Sequence, residues 1–462
     1  MPANDQHSGT TTVNPATGEV FAFHPYASSD SISNILDANL AAFARWRVTP
    51  LEGRLGLFGR LADILRSRCE AFAVTITREM GKPVTQSRAE VLKCATACEW
   101  YAVNGAAMMA DERVMVDQQT AWISYEPLGT VLGIMPWNYP CWQAIRAIIP
   151  VLLSGNAFAL KHAPNSISTA LNVVAAFEEA GAPAGLVTSL NIDNDAVANV
   201  IADDRIAAVT LTGSVRAGSA VAALAGRAIK KTVLELGGSD PFIVLADADV
   251  DAAVEAAVWA RFQNCGQTCI AAKRLIVDAA IAPDFTAKFV AAVERLAIGD
   301  PMLDDTLVGP MARADLRAEL EDQVARSVAA GAVTLLEGGR SGPAGSAYFR
   351  PVVLGDVTPG MAAFDEETFG PCAAITVAGD VEEAARLANR SQFGLSAALW
   401  TSDIERARDL ARRLDTGSVF INGISRSDPR APIGGIRKSG YGRELSHFGV
   451  REFTNVKTVW LP

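Results

Sequence analysis

Short β-rich segments alternate with amphipathic helical segments along the chain from Trp122 onward. Apolar runs rich in β-branched residues mark the strands, and apolar residues recurring with the helical period mark the segments between them. This alternation predicts an α/β fold built on a parallel sheet with helices packed on its faces. The first series of predicted strands comprises residues 129–135, 157–161, 186–190, 206–211 and 232–236.

A second alternating series begins after Gly238 and predicts a second α/β domain. The chain has 462 residues, which is more than one hydrophobic core normally organises. We therefore expect a domain boundary near Gly237 and Gly238. The strands predicted in this series are 241–245, 274–277, 333–336, 374–377 and 418–422.

The two ends of the chain differ from these alternating series. Helices with apolar faces are predicted at 33–46, 55–65 and 89–102. Residues 452–461 return to a Val/Thr/Trp pattern that predicts an edge strand or an intersubunit strand.

Two residues offer the means for covalent catalysis on an aldehyde or ester. Cys269, at the end of Asn264-Cys265-Gly266-Gln267-Thr268-Cys269, is a candidate nucleophile, and Glu235 in Leu234-Glu235-Leu236 is a candidate base. A thiolate attacks a carbonyl readily, and a carboxylate that holds a water molecule can later release the acyl group from sulfur. The polar and glycine neighbours of Cys269 leave backbone N–H groups open to a developing oxyanion. Cys265 has no such companion motif and is interpreted as structural.

Composition limits the other function classes. A net charge of -10, from 51 acidic and 41 basic residues, argues against a nucleic-acid or anionic-membrane partner. The most apolar stretch, 144–160, is interrupted by polar residues and falls short of the roughly 18 apolar residues of a membrane span. The first residues lack the features of a secretory signal. The 7 cysteines are scattered, so reduced thiols and a cytoplasmic location are expected.

No metal site is predicted. The 4 histidines lack ligand spacing to one another or to a cysteine pair. Cys94 and Cys98 lie on a predicted helix without further ligands nearby, and are interpreted as helix-packing residues.

The motifs around these residues, taken in order, resemble those of aldehyde dehydrogenases over nearly the whole chain. Gln267-Thr268-Cys269 matches the family's nucleophile motif, and Glu235 matches its general base. Met135-Pro136-Trp137-Asn138-Tyr139-Pro140 resembles the segment whose asparagine, here Asn138, donates to the oxyanion together with the backbone N–H of Cys269.

The resemblance implies a mechanism and leaves two other classes open. The Cys269 thiolate adds to the aldehyde, hydride passes to a nicotinamide, and Glu235 activates water to hydrolyse the thioester. Relatives that pass the acyl group to coenzyme A lack this glutamate, so a free acid product is expected. A protein that keeps the fold without chemistry and a cofactor-independent thiol esterase are the alternatives.

The chain lacks the Gly-x-Gly-x-x-Gly fingerprint, but the resemblance implies a Rossmann-like sheet with a different phosphate contact. Thr212-Gly213-Ser214 follows a predicted strand and places a hydroxyl and amides at a helix start. By resemblance, Lys161 reaches the adenosine ribose, Glu367 the nicotinamide ribose and Phe369 the nicotinamide. The full set of predicted cofactor-binding residues is Trp137, Lys161, Pro164, Thr212, Gly213, Ser214, Glu367 and Phe369.

Pro164 bears on the choice of cofactor. It stands where NAD-preferring relatives often carry a glutamate, whose charge would repel a 2′-phosphate. We therefore expect use of both NADP and NAD, with a preference for NADP.

The substrate is expected to be succinate semialdehyde. In succinate-semialdehyde dehydrogenases an arginine and a serine bind the distal carboxylate, and Arg146 and Ser446 occupy these positions here. Gln263 stands where some relatives have a second carboxylate-binding arginine. Alternatively, Arg146 is a structural ion-pair residue, and the protein is a broad-specificity enzyme for neutral aliphatic or aromatic aldehydes. Trp142, Phe262 and Phe448 are candidates for apolar tunnel walls or for core positions.

The expected architecture follows the resemblance. A Rossmann-like dinucleotide-binding domain comprises residues 1–109 and 128–237, and a catalytic α/β domain comprises 238–435. A small β oligomerisation extension comprises 110–127 and 447–462, and by resemblance it joins subunits. A homodimer or homotetramer is expected, because closed symmetry is the common outcome.

Overall fold

The computed structural model describes residues 8–117 and 119–461. The first ten strands in this part of the chain are β1 (Gly9–Val13), β2 (Val20–Pro25), β3 (Glu112–Val116), β4 (Gln119–Pro127), β5 (Thr130–Met135), β6 (Ala157–His162), β7 (Val187–Ser189), β8 (Ile206–Thr212), β9 (Lys231–Glu235) and β10 (Asp240–Val244). The others are β11 (Ala272–Asp278), β12 (Val333–Leu336), β13 (Gly339–Arg340), β14 (Phe349–Arg350), β15 (Val352–Gly355), β16 (Cys372–Ala378), β17 (Ser396–Trp400), β18 (Ser418–Ile421), β19 (Gly440–Tyr441) and β20 (Thr454–Leu461).

The helices connect and cover these strands. The first eight are α1 (Ser29–Trp46), α2 (Leu51–Ser67), α3 (Cys69–Met80), α4 (Val84–Met108), α5 (Pro140–Leu153), α6 (Ile167–Glu179), α7 (Asn194–Ala202) and α8 (Val215–Arg227). The others are α9 (Val250–Phe262), α10 (Ala282–Glu294), α11 (Ala314–Ala329), α12 (Ala362–Asp365), α13 (Val381–Asn389), α14 (Ile404–Arg413) and α15 (Ser446–Glu452).

The first large sheet has six strands in the order β19-β9-β8-β5-β6-β7. Strands β5 to β9 are parallel, and β19 pairs with β9 in the antiparallel direction. All five strands predicted before Gly237 are confirmed, each within one residue of its predicted bounds. The parallel α/β organisation predicted from the alternation is therefore present here.

The second large sheet has seven strands in the order β12-β15-β16-β11-β10-β17-β18. The five strands predicted in this series are confirmed, but β12 is antiparallel to its neighbour β15. Strands β15 and β17 were not predicted. Both are short and wholly buried, and periodicity alone does not distinguish a short apolar strand from a buried helical segment.

A separate three-stranded antiparallel sheet combines β3, β4 and β20. This sheet confirms that a small β extension joins residues near 110–127 to the strand at the carboxyl end. Its role in joining subunits stays a prediction.

The amino-terminal part contains more structure than the sequence indicated. The three predicted helices lie within α1, α2 and α4; α1 begins earlier than predicted and ends as predicted, and α2 and α4 extend beyond the predicted bounds at both ends. Helix α3 and the β1–β2 hairpin were not predicted. Cys94 and Cys98 are buried on α4, as their interpretation as packing residues requires.

Separate hydrophobic cores form around the two large sheets. Phe262 belongs to the second core, whereas Phe448 is exposed. The predicted domain bounds stay a prediction, and β19 shows that the chain returns to the first sheet after completing the second. Within residues 8–117 and 119–461, none of the helices combines the length and apolar character needed to span a bilayer.

Candidate active site

Strands β5 and β8 lie side by side in the first sheet, at the point where a ligand crevice is expected. From these two strands the chain progresses outward in opposite directions, to β6 and β7 on one side and to β9 on the other. Ligands of open α/β sheets bind at such a reversal, outside the carboxyl ends of the strands. Trp137 and Asn138 follow β5, and Thr212-Gly213-Ser214 ends β8 and begins α8. The fold therefore brings the predicted oxyanion and phosphate segments to one edge.

Glu235 is the last residue of β9 and reaches the same edge. Its backbone carbonyl accepts a hydrogen bond of 2.9 Å from the N–H of Gly213, and its carboxyl group is buried. Burial is the main reason that the pKa of Glu235 is raised to about 8; the field of Glu444 also raises this pKa, while Arg146 and Arg443 lower it. Among the described residues, Oε1 of Glu235 has no hydrogen-bond partner. A carboxyl group with this pKa can exchange protons near neutral pH.

Cys269 lies in the loop between the 3-10 helix Gln263–Gly266 and β11. Its side chain is half-buried, whereas Cys265 is buried in the second core, in agreement with its structural interpretation. Burial raises the pKa of the Cys269 thiol to about 11, and the positive charges of Lys273 and Arg146 lower the pKa against that effect. Thiolate formation at Cys269 therefore depends on nearby cations and on a proton acceptor.

The loop that carries Cys269 has a strained backbone. Asn264 and Cys265 have φ angles of 52° and 54°, in the left-handed region that side chains with a Cβ disfavour. The backbone N–H of Asn264 donates to Oε1 of Gln86 at 2.7 Å, and its side-chain amide donates to the carbonyl of Asn138 at 2.8 Å. These contacts hold the strained loop against the segment that follows β5.

Asn138 is buried beside the nucleophile loop. Its Nδ2 donates to the carbonyl of Gln267 at 3.0 Å. The next residue, Tyr139, forms a hydroxyl–hydroxyl hydrogen bond of 3.2 Å with Thr268. A primary amide has two N–H groups, so one N–H of Asn138 remains to donate to an oxyanion formed next to Cys269.

Glu367 and Phe369 extend from the second half of the molecule toward the crevice. Oε1 of Glu367 accepts from the N–H of Gly238 at 3.1 Å and forms an ion pair of 3.3 Å with Lys273. The ring of Phe369 packs edge-to-face against Trp137, with ring centroids 5.7 Å apart. The structure thus brings together residues from both halves, although their contacts with a cofactor stay predictions.

The phosphate segment has room for a ligand at the start of α8. The side chain of Ser214 caps this helix by accepting from the N–H of Ala217 at 3.2 Å. A Cβ atom built on Gly213 would meet only Leu211 within 4 Å, at 3.5 Å, so the backbone there is approachable. Because a helix amino terminus favours negative charge, this open segment fits a dinucleotide phosphate.

Lys161 lies near the end of β6, and Pro164 begins the 3-10 helix that follows it. Burial lowers the pKa of Lys161, and the field of Asp193 raises it. The ammonium group thus lies beside the same edge of the sheet, where it fits a ribose hydroxyl or a phosphate. Over the described ranges, no cluster of three or more His, Cys, Asp or Glu side chains is arranged to hold a metal ion.

The predicted substrate residues have different surroundings. Arg146 is buried on α5, where its guanidinium forms an ion pair with Glu444 and donates to Oγ1 of Thr212 at 3.5 Å. This contact is the structural ion pair considered as the alternative for Arg146, and a carboxylate-binding role stays a prediction. Ser446 is buried with a φ angle of 51°, and its Oγ accepts from the N–H of Phe448 at 3.3 Å. Gln263 is half-buried at the end of α9.

The comparison with protein-family models decides the family. The model described as "Aldehyde dehydrogenase family" matches residues 2–459. The chain belongs to the aldehyde dehydrogenase family.

Among individual relatives of this aldehyde dehydrogenase, the Escherichia coli protein named succinate semialdehyde dehydrogenase Sad, an NAD(P)+ enzyme by name, is 54% identical over 449 residues. That match covers 97% of each chain. An NADP+ succinate-semialdehyde dehydrogenase of Mycobacterium bovis is 44% identical over 453 residues, which cover 97% of this chain and 99% of the relative.

Solved structures give the same relationship. The crystal structure of succinic semialdehyde dehydrogenase from Streptococcus pyogenes, in complex with NADP+ as the cofactor, matches with a TM-score of 0.95 and 34% identity. The match covers 98% of this chain and 100% of the other. The aldehyde dehydrogenase fold predicted from the motifs is therefore confirmed.

Sequence reasoning missed Lys273 as a residue that contacts the nucleophile loop of this aldehyde dehydrogenase. Lys273 is fully buried on β11, and its ammonium group donates to the carbonyl groups of Thr268 at 2.9 Å and Cys269 at 2.6 Å. It therefore links the nucleophile loop to Glu367. The available signal was a lysine next to the apolar run 275–277 of a predicted strand, because a buried lysine requires a partner.

Proposed function

We propose that this aldehyde dehydrogenase oxidises succinate semialdehyde to succinate, with NADP+ or NAD+ as the cofactor and NADP+ preferred. The observation that carries the proposal is the convergence of Cys269, Glu235 and Asn138 at one crevice. The two relatives described above and the solved structure support the choice of substrate and cofactor.

The first step is addition of sulfur to the aldehyde. The Cys269 thiol gives its proton to solvent water, its sulfur bonds to the carbonyl carbon, and the carbonyl π electrons pass to the oxygen, which becomes an oxyanion. The remaining N–H of Asn138 and the backbone N–H of Cys269 stabilise that oxyanion. When bound, the nicotinamide cofactor supplies the acceptor for hydride.

Glu235 serves the second step, in which water hydrolyses the thioester on Cys269. Its carboxylate accepts a proton from water as the water oxygen attacks the acyl carbon, and the sulfur leaves. The field of Glu235 raises the pKa of Cys269, so an ionised Glu235 and a thiolate disfavour each other. This repulsion favours a mechanism in which the Cys269 thiolate acts in the first step and the Glu235 carboxylate acts in the second.

The chain's own residues divide cofactor binding between the two halves. Thr212-Gly213-Ser214 would hold phosphate at the start of α8, and Lys161 and Pro164 would bind the adenosine ribose. Glu367, paired with Lys273, would bind the nicotinamide ribose. Trp137 and Phe369 form an aromatic corner for the nicotinamide.

We also propose a cytoplasmic homodimer or homotetramer that assembles through the β3-β4-β20 sheet. This sheet exposes apolar side chains that a partner subunit would cover, including Met115, Val456 and Trp460, which are 67%, 58% and 53% exposed. All of the cysteines are free thiols, a state that is maintained in a reducing compartment.

The decisive experiment compares succinate semialdehyde with butanal, a neutral aldehyde of equal chain length. The purified protein is assayed with NADP+ and with NAD+ by following the reduced nicotinamide. We expect kcat/KM to be at least about tenfold higher for succinate semialdehyde, as when a polar substrate group is read by dedicated partners, and no turnover in Cys269→Ala. Equal values for the two aldehydes would contradict the proposed substrate, and turnover without cofactor would indicate an esterase.

A further inference from the structure

Lys93, Trp142 and Ser427 form a polar cluster that the proposed mechanism does not use. Oγ of Ser427 accepts from Nζ of Lys93 at 2.8 Å and from the indole N–H of Trp142 at 3.1 Å. Nζ of Lys93 also lies over the Trp142 ring, 4.3 Å from its centroid. Three elements distant in sequence, namely α4, α5 and the loop after β18, therefore meet around one ammonium group.

The cluster lies beside the first turns of α5, which follow directly after Asn138. On α4, Lys93 is one turn from Glu90, whose Oε1 accepts from the backbone N–H groups of Cys141 and Trp142, each at 2.9 Å. This contact aligns the Lys93 face of α4 with the start of α5.

The helix α5 connects the cluster to the nucleophile loop. Trp142 and Arg146 are four residues apart on α5 and share a face. Tyr139, immediately before α5, forms a hydrogen bond of 3.2 Å with Thr268 next to Cys269, and Arg146 donates to Oγ1 of Thr212 at 3.5 Å. Lys93 therefore contacts the part of α5 whose start adjoins the nucleophile loop.

Charge balance distinguishes Lys93 from the other candidates for binding a carboxylate. Arg146 already forms an ion pair with Glu444, and Gln263 carries no charge. The hydrogen-bond partner of Lys93 is instead a neutral hydroxyl. An ammonium group has three N–H donors, and a serine hydroxyl that accepts two hydrogen bonds can still donate one.

We infer that Lys93, together with Ser427, binds the carboxylate of the semialdehyde substrate and so determines the preference for an acidic aldehyde. This inference rests on the proposed function. The ring of Trp142 forms the apolar wall beside the ammonium group. The long, flexible side chain of Lys93 allows the ammonium group to adjust its position to a small substrate.

The surroundings of Lys93 make the preference for an acidic aldehyde dependent on pH. Burial and the charge of Arg146 on α5 lower the pKa of Lys93 to about 8, while Cys94 and Glu90 on α4 and Asp428 in the loop raise it. The ammonium form therefore predominates below pH about 8 and is lost above it. The preference for succinate semialdehyde over butanal should fall as the pH rises through this value.

The test measures kcat/KM for succinate semialdehyde and butanal in the wild type, Lys93→Met and Lys93→Arg. We expect Lys93→Met to lower the ratio of the two values by about tenfold or more, mainly through KM for the acid, because a charge-assisted contact is lost. Lys93→Arg should keep most of the ratio, since it keeps the charge. Lys288→Met is the control, because Lys288 pairs with Asp251 and Asp284 on the surface.

A binding measurement and a pH profile separate this role from a purely structural one. Succinate should inhibit butanal oxidation by the wild type more strongly than by Lys93→Met, and the decline in preference near pH 8 should disappear in that variant. Ser427→Ala, a smaller change, tests the same site if Lys93→Met unfolds, and should also lower the ratio.

The outcomes distinguish this inference from the proposed function. A wild type that prefers succinate semialdehyde, with an unchanged preference in folded Lys93→Met or in Ser427→Ala, overturns the role of the cluster alone. A wild type without that preference overturns the proposed substrate itself.

Discussion

The carboxylate of Glu367 occupies the space that a side chain at position 237 would need. A Cβ atom built on Gly237 would overlap Oε2 of Glu367. The same carboxylate accepts from the N–H of Gly238 and pairs with Lys273, which in turn holds the carbonyl of Cys269. The absence of a side chain at Gly237 thus allows the two halves to meet at the site.

Gly237→Ala should therefore displace Glu367 and weaken cofactor binding. We expect the KM for NADP+ to rise by about tenfold, as expected when a well-placed hydrogen-bonded contact is lost. Cofactor titration by intrinsic fluorescence measures the same effect without turnover. Gly226→Ala is the matched control, because a Cβ atom there meets nothing within 4 Å; equal cofactor affinity in the two variants would contradict the displacement.

The pH dependence of turnover should report the pKa of Glu235. Because burial raises this pKa to about 8, the carboxylate is the minor form at neutral pH and its population grows about tenfold per pH unit until that value. Where thioester hydrolysis limits the rate, steady-state turnover should rise with pH and level off above about 8. Glu235→Gln should release one burst of reduced nicotinamide and then stop; sustained turnover in this variant would exclude Glu235 as the base.

A buried ion pair packs against the segment that contains Asn138 and Tyr139. Glu90 pairs with Lys82, and both side chains are almost completely buried. Nζ of Lys82 lies 3.6 Å from the ring centroid of Tyr139. Glu90→Gln should lower the free energy of unfolding by about 3–5 kcal/mol, because it leaves a buried charge without its partner.

Urea unfolding measures the effect of the Glu90 change. The double variant Lys82→Met with Glu90→Gln should recover most of the lost stability, since it removes the unpaired charge. If Glu90→Gln alone were as stable as the wild type, the Lys82–Glu90 pair would contribute no net stabilisation.

Pro164→Glu should shift the preference from NADP+ toward NAD+. A carboxylate beside Lys161 would repel a 2′-phosphate and accept from ribose hydroxyls. We expect kcat/KM with NADP+ to fall by about tenfold relative to NAD+. Pro164→Gln controls for the loss of the proline ring, and an equal shift in both variants would show that charge is not the cause.

Substitutions on β20 should disrupt assembly. Val456 and Trp460 are exposed apolar residues of that strand, and replacing both by glutamate would place unpaired charges in the proposed interface. Light scattering after size-exclusion chromatography should then show smaller particles than the wild type. Val103→Glu, at an exposed position of α4 that is outside this sheet, should leave the particle size unchanged. Identical sizes in all three proteins would contradict assembly through this sheet.

Local pattern was enough to predict much of this fold. The strands of the first sheet follow from continuous apolar runs between helical segments, and their bounds depend on neighbouring residues only. The short strand β17 was missed because a brief buried run has no distinguishing period. The antiparallel pairing of β12 was missed because strand direction depends on a partner far along the chain.

The nucleophile, the base and the oxyanion amide were identifiable because each lies in a motif of adjacent residues. Their electrostatic surroundings were not. Lys273 meets Glu367, and Arg146 meets Glu444, across long stretches of sequence. A buried charge acquires its partner only when distant elements pack together, so sequence spacing does not reveal such pairs.

The sequence by itself determined the α/β class, the catalytic cysteine and glutamate and the resemblance to aldehyde dehydrogenases, because residue type and short-range order specify these features. Only the tertiary structure decided that the pKa of Glu235 is raised to about 8 and that Arg146 is already ion-paired. It also decided that Lys93 meets Ser427 beside α5. Burial and the distance between charges govern these properties, and both arise when the chain folds.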